Sequence, residues 1–151
     1  MAVTSAPGPT SLAVSSNLGA LRAARGITLR DMASRLTEAG VKMSAPTYQQ
    51  VERGDTRVTV DLLTAASAIL DVSPVTLLLP SAIQAGDEAE LTGVERNTVW
   101  RLWQWLRGDR SPSVDMTGPE DIYRHRMAAY PRWVMPPRPS GDERDETAES
   151  P

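Results

Sequence analysis

From residue 17 to residue 80, apolar residues recur every three or four positions in short runs, four of which open on Ser or Thr and four of which close on Gly or Pro. That spacing is the signature of amphipathic helices with their start and stop signals in place. "NLGALRAARG" carries Leu18 and Leu21 and stops at Gly26. Thr28 opens "TLRDMASRLTEAG", with Asp31 three residues on in a capping-box-like arrangement and Met32, Ala33 and Leu36 on one face. Ser44 caps "SAPTYQQVERG", and Pro46 falls in its first turn, where a missing N–H removes no intrahelical bond. Thr59 caps "VDLLTAASAIL", and Ser73 with Pro74 begins "PVTLLL", which Pro80 ends. Short helices joined by loops of a few residues leave this stretch no room for a sheet, so the predicted fold is all-α, a five-helix domain with a small helical C-terminal extension.

The flanks read differently. Residues 1–16, rich in Ser, Pro, Ala and Gly, are expected to be a disordered N-terminal arm. Residues 81–96 read as a linker. Residues 97–139 form a small helical segment containing "TVWRLWQWLRG", stopped at Gly108, and "PEDIYRHRMAAY", followed by the proline-rich "PRWVMPPRPS". Residues 140–151 are expected to be an acidic, disordered tail. The chain has no internal repeat.

Composition narrows the chemistry. With 151 residues the chain accommodates one real core plus extensions. Cysteine is absent, which excludes disulfides, thiolate metal sites and cysteine nucleophiles. No apolar run approaches the roughly 20 residues of a membrane span, and the start lacks the basic region of a signal peptide, so the expectation is a cytoplasmic protein with no membrane partner. Of the sixteen Lys and Arg residues only Lys42 is a lysine. The net charge is −3, but residues 140–151 alone carry −4, leaving the remainder at +1. A strongly basic field is therefore missing, and a case for nucleic acid must rest on local placement.

The third helix supplies that placement. With Tyr48 pointing inward and about 100° per residue, Val51 and Glu52 fall on the inner side, while Pro46, Gln49, Gln50 and Arg53 share the outer arc. The bland reading of that arc is a solvated polar face. Against it, a glutamine amide offers a donor and an acceptor that match N6 and N7 of adenine, and Ala45 and Pro46 offer apolar contact to thymine methyls. Lys42, Arg53 and Arg57 lie at the two ends of the helix, where phosphates would flank it in a groove. The inward Glu52 needs a cation, because a buried carboxylate is costly unless paired. Arg22 is the candidate, the bland alternative being that Glu52 tilts to solvent.

Taken together, "LRAARGITLRDMASRL", "SAPTYQQVERG" and "LLTAASAILDVSPVTLLL" resemble the XRE family of helix-turn-helix regulators, the group that includes the phage Cro and CI repressor domains. The resemblance covers about residues 17–80. It implies that the second and third helices form the helix-turn-helix and that Ala45, Pro46, Thr47, Gln49 and Gln50 read bases. It also implies a family ion pair at Arg22 and Glu52; Thr28 joins Lys42, Arg53 and Arg57 as an expected phosphate contact. Leu29 stands where many members place a phosphate-binding glutamine, and the turn "TEAGVKM" is about five residues longer than in compact members. After residue 80, the tryptophan-rich helix and the later "RWV" look similar to extensions on actinobacterial and actinobacteriophage members.

In "TVWRLWQWLRG", Val99, Leu102, Trp103 and Leu106 make one stripe, read most simply as core. Trp100 and Trp105 flank it; with Trp103 they are candidates for a partner or dimer interface, because tryptophan is enriched at interface hot spots. Enzyme readings are poor. The single histidine, His125, has no second metal ligand nearby in sequence, and no phosphate-cradling glycine loop or nucleophile motif occurs. No cofactor, metal or small-molecule ligand is expected. The resulting expectation is a sequence-specific regulator of double-stranded DNA, a repressor, with a phage immunity repressor as the narrower version. A homodimer through the C-terminal segment is one assembly the pattern allows. The rival is an antitoxin-like protein-interaction module with secondary DNA binding.

Overall fold

The computed structural model describes residues 6–82 and 84–134. The predicted acidic tail and residues 1–5 of the predicted arm lie outside the described residues. Two compact units emerge, one running to Ser81 and including Glu90–Thr92, the other formed by the rest.

The first unit contains α1 (Pro9–Ala24), α2 (Leu29–Glu38), α3 (Ala45–Glu52), α4 (Val60–Ile69) and α5 (Pro74–Leu78). Four start signals visible in the sequence are hydrogen-bonded caps, because Thr28, Ser44, Thr59 and Ser73 accept the N–H of Asp31, Thr47, Leu62 and Val75. The first four helices end on a paired backbone closure, as at α2, where Gly40 N–H donates to Thr37 and Val41 N–H to Leu36. At the end of α4 an aspartate, Asp71, takes the left-handed conformation with φ 49° while its N–H and that of Val72 reach Ala68 and Ser67. The core joins Val14 and Leu18 of α1, Met32, Ala33 and Leu36 of α2, Tyr48 and Val51 of α3, and Leu62, Ala66, Leu70 and Leu77 beyond. Thus α1 packs on α3 and α5, and α2 on α3 and α4.

α1 begins at Pro9, so residues 9–16, expected in a disordered arm, are helical. The physical reason is tertiary: Val14 and Ser15 are buried at 2% exposure, and Val58 N–H donates to Ser11 Oγ at 2.9 Å. A Cβ built at Gly54 would lie 2.7 Å from Leu12 Cδ2, so glycine lets the loop after α3 approach α1 closely. At the other end, Asn17 Nδ2 faces the carbonyls of Thr76, Leu77 and Leu79 at 3.3, 2.9 and 2.7 Å, and its Oδ1 accepts from Ser81 Oγ. One buried amide therefore closes the end of α5 against α1.

β1 (Glu88–Leu91), whose last two residues count with the first unit, and β2 (Val94–Thr98) form a two-stranded sheet, and α6 (Val99–Leu106) and α7 (Pro119–Ala129) follow in the second unit. The predicted linker over 81–96 thus contains one strand and part of another. β1 alternates exposed and covered positions, "EAEL" ending on the buried Leu91, whereas "VERNT" does not alternate, and the two strands turn at Thr92-Gly93. The fold remains an all-α one with this single small addition. Val99 N–H and Trp100 N–H donate to the Asp87 and Ala85 carbonyls, so the first turn of α6 is satisfied by the loop before β1. Val99, Leu102 and Ile122 form the buried apolar centre. Asp109 gathers three side chains: the Tyr130 hydroxyl at 2.8 Å, Arg107 Nε at 3.3 Å and Arg126 Nε at 3.9 Å. The Asp109 hydrogen bond is the main reason the Tyr130 hydroxyl is held above its ordinary pKa.

Candidate nucleic-acid interface

α2, a six-residue turn (Ala39–Ser44) and α3 make the helix-turn-helix. Ser44 starts α3 with its oxygen near both the Thr47 N–H (3.3 Å) and the Thr47 hydroxyl (2.7 Å). Pro46 sits in the first turn, where it costs no hydrogen bond. Tyr48 and Val51 are buried, which fixes the rotation of the helix about its axis. Given that rotation, Pro46, Thr47, Gln50 and Arg53 are exposed, and Ala45 and Gln49 are half-buried. Two adjacent amides therefore stand at different depths on the outer arc.

The cations frame this helix. Lys42 is exposed in the turn before α3, Arg53 is exposed as its C-cap, and Arg57 is exposed in the loop beyond, donating to the Ala6 carbonyl at 3.3 Å. Thr28 lies at the N-terminus of α2 with its oxygen accepting the Asp31 N–H, so its proton is left to donate. Thr47 differs from the other expected base readers, since its hydroxyl is already within hydrogen-bond distance of the cap.

Glu52 faces inward to α1. Arg22 Nε and Nη2 donate to Glu52 Oε1 and Oε2 at 2.6 and 2.9 Å, and Arg22 Nη1 donates to the Ile27 carbonyl at 2.8 Å. The two side chains are only 17% and 11% exposed. Hydrogen bonding to Glu52 raises the Arg22 pKa above its ordinary value. Beside the pair, burial pushes the Tyr48 hydroxyl well above the usual tyrosine range and the Glu52 charge adds to the effect. That hydroxyl has no hydrogen-bond partner among the described residues.

Gly19 was not singled out by the sequence reading. A Cβ there would lie 3.4 Å from Glu52 Oε2, an ordinary van der Waals contact, so at this position the α1 backbone runs alongside the carboxylate. The available signal was a glycine inside a helical run, which costs about 1 kcal/mol relative to alanine and often marks a close approach.

The tryptophans lie in the second unit. Trp100 and Trp103 stack with centroids 4.9 Å apart, and the Arg107 guanidinium lies 4.1 Å over Trp103. Trp103 and Leu106, expected in the buried stripe, are only half-buried, whereas Val99 and Leu102 are buried. The reason is the pairing with Trp100, which draws Trp103 into a surface stack. Trp105 is also half-buried. His125 is half-buried on α7, its Nε2 enclosed. Among the described residues no helix is long and apolar enough to cross a membrane.

Residues 18–77 match the sequence model of the helix-turn-helix family. Comparison with curated proteins and with solved structures found no match. The matched segment, with its caps, its α2–turn–α3 unit and its outward glutamines, is a helix-turn-helix domain. It is of the XRE type, that of DNA-binding transcription regulators.

Proposed function

We propose that the protein is a sequence-specific repressor that places α3 in the major groove of double-stranded DNA. The observation that carries this reading is the rotation of α3: burial of Tyr48 and Val51 leaves Gln50 exposed on the side opposite the core, with Gln49 beside it. In such a complex Gln49 and Gln50 read adenine edges, Ala45, Pro46 and Thr47 pack near thymine methyls, and Lys42, Arg53, Arg57 and Thr28 bind phosphates. Repression then requires occupancy of a site and no catalysis. A phage immunity repressor acting in the cytoplasm is the narrower form of the proposal. The half-exposed Trp100–Trp103 stack supports a protein contact by the C-terminal unit, either with a second copy or, in an antitoxin-like role, with another protein. A dimer would read half-sites about 34–36 Å apart.

In vitro selection of random duplex DNA on the full chain at near-physiological salt tests the proposal. An enriched motif is the expected result, and its symmetry reports one reading head or two. Failure to enrich any motif over input would remove sequence-specific binding.

A further inference from the structure

The turn between α2 and α3 is held by one side chain that neither the family resemblance nor the base-reading scheme assigns a role. Thr37, in the last turn of α2, has its hydroxyl oxygen 2.9 Å from the Ala33 carbonyl and 3.1 Å from the Met43 carbonyl, and it accepts the Met43 N–H at 3.2 Å. A hydroxyl has one proton and two lone pairs, so the carbonyls share the proton while the Met43 N–H takes a lone pair. The first half of the turn is closed by backbone, Gly40 N–H to Thr37 and Val41 N–H to Leu36. The second half is held at Met43 by the Thr37 side chain.

Met43 immediately precedes Ser44, the cap from which α3 starts. Fixing both backbone groups of Met43 therefore fixes where α3 begins. Val41 and Met43 also pack against the core, and Lys42 between them is exposed. The clamp thus sets the backbone at Lys42 and the first residues of α3 in one arrangement.

We propose that Thr37 is a positioning residue for DNA recognition: its hydroxyl locks the turn between α2 and α3 and so holds Lys42 and the start of α3 in register with the duplex. The inference rests on the DNA-binding reading above. A short turn would need no such clamp; a six-residue turn does, because more backbone freedom must be removed before α3 can present a single face.

The test uses the full chain, the selected motif duplex and a scrambled duplex of equal length, with Thr37→Val and Thr37→Ser. Valine keeps the shape and removes the hydroxyl; serine keeps the hydroxyl. Expected is about three- to tenfold weaker binding of the motif by Thr37→Val, the equivalent of one hydrogen bond. The preference for motif over scrambled duplex should narrow, and Thr37→Ser should restore both. Faster hydrogen exchange at the Met43 amide in Thr37→Val reports the opened clamp independently of DNA. Wild-type affinity and preference in Thr37→Val, or a loss that serine does not rescue, overturns the positioning role while leaving DNA binding intact. A wild-type chain that enriches no motif instead sinks the functional reading, and the role of Thr37 in recognition with it.

Discussion

Arg22 on α1 and Glu52 on α3 meet through two parallel hydrogen bonds of 2.6 and 2.9 Å, and the third guanidinium nitrogen of Arg22 holds the Ile27 carbonyl just before α2. One planar group thereby ties together α1, the loop that leads into α2, and the end of α3. A lysine offers a single point of charge and cannot form that fork. Removing either partner strands the other, so Glu52→Ala and Arg22→Ala should each destabilise the domain by about 3 kcal/mol. The double mutant should lose much less than the sum. Chemical denaturation of the four proteins measures this, and additive losses would show that the pair is not coupled.

Tyr48 gives a stability difference that appears at alkaline pH. Its folded-state pKa is raised by burial, so the unfolded chain releases the proton first, beginning near the ordinary tyrosine value of about 10. Stability contributed by the neutral hydroxyl is complete below that value and falls as pH rises above it. The hydroxyl meets no partner at full hydrogen-bond geometry, and its one polar neighbour, Glu52, is already held by Arg22, so Tyr48→Phe should change stability at pH 7 by no more than about 1 kcal/mol. The same variant should flatten the loss of thermal midpoint above pH 10. A phenylalanine variant as alkali-sensitive as the parent would assign that sensitivity elsewhere, Tyr130 being the next candidate.

On DNA, Gln50→Ala and Arg53→Ala should fail in different ways. The glutamine variant is expected to lose about 1–3 kcal/mol at one base step while keeping its affinity for scrambled duplex. The arginine variant should weaken matched and scrambled duplexes alike and reduce the salt slope by about one. Titrations at several salt concentrations separate them. Equal losses on both duplexes for Gln50→Ala would strip that residue of its reading role.

Asn17 should be as sensitive as a core residue despite its polarity. Its amide nitrogen has two protons for three nearby carbonyls, and its own carbonyl accepts from Ser81. Asn17→Ala leaves those buried groups without a donor and should cost about 1–3 kcal/mol, read as a lowered denaturation midpoint. An unchanged midpoint would mean that water replaces the amide freely.

Much of the first unit was legible because its signals are local. Thr28, Ser44, Thr59 and Ser73 act within three residues of where they stand, and the inward turn of Tyr48 and Val51 follows from helical geometry alone. The pairing of Glu52 with Arg22 could be reached by asking which cation a buried carboxylate needs. What escaped notice depends on distant partners. The local signal in residues 9–16 is slight, a proline at the first helical position with no side-chain cap before it; the segment is ordered by burial of Val14 and by Ser11 meeting Val58, forty-seven positions away. Likewise Asn17 reads as an ordinary polar residue until α5 is set against it. The hairpin carried only half of a local sign, alternation in "EAEL" before Thr92-Gly93 and none in the polar "VERNT" after it, so it has the look of a linker.

The first two turns of α1 bear on how this domain can be excised and reused. They precede the segment matched to the helix-turn-helix family, which begins at residue 18. A fragment trimmed to that boundary would discard Val14 from the core, the Ser11 oxygen that receives Val58, and the Leu12 side chain seated over Gly54. Grafting the reading head onto another scaffold, or exchanging it between regulators, therefore calls for a junction upstream of Pro9, because residues 9–17 are the brace for the loop that follows α3.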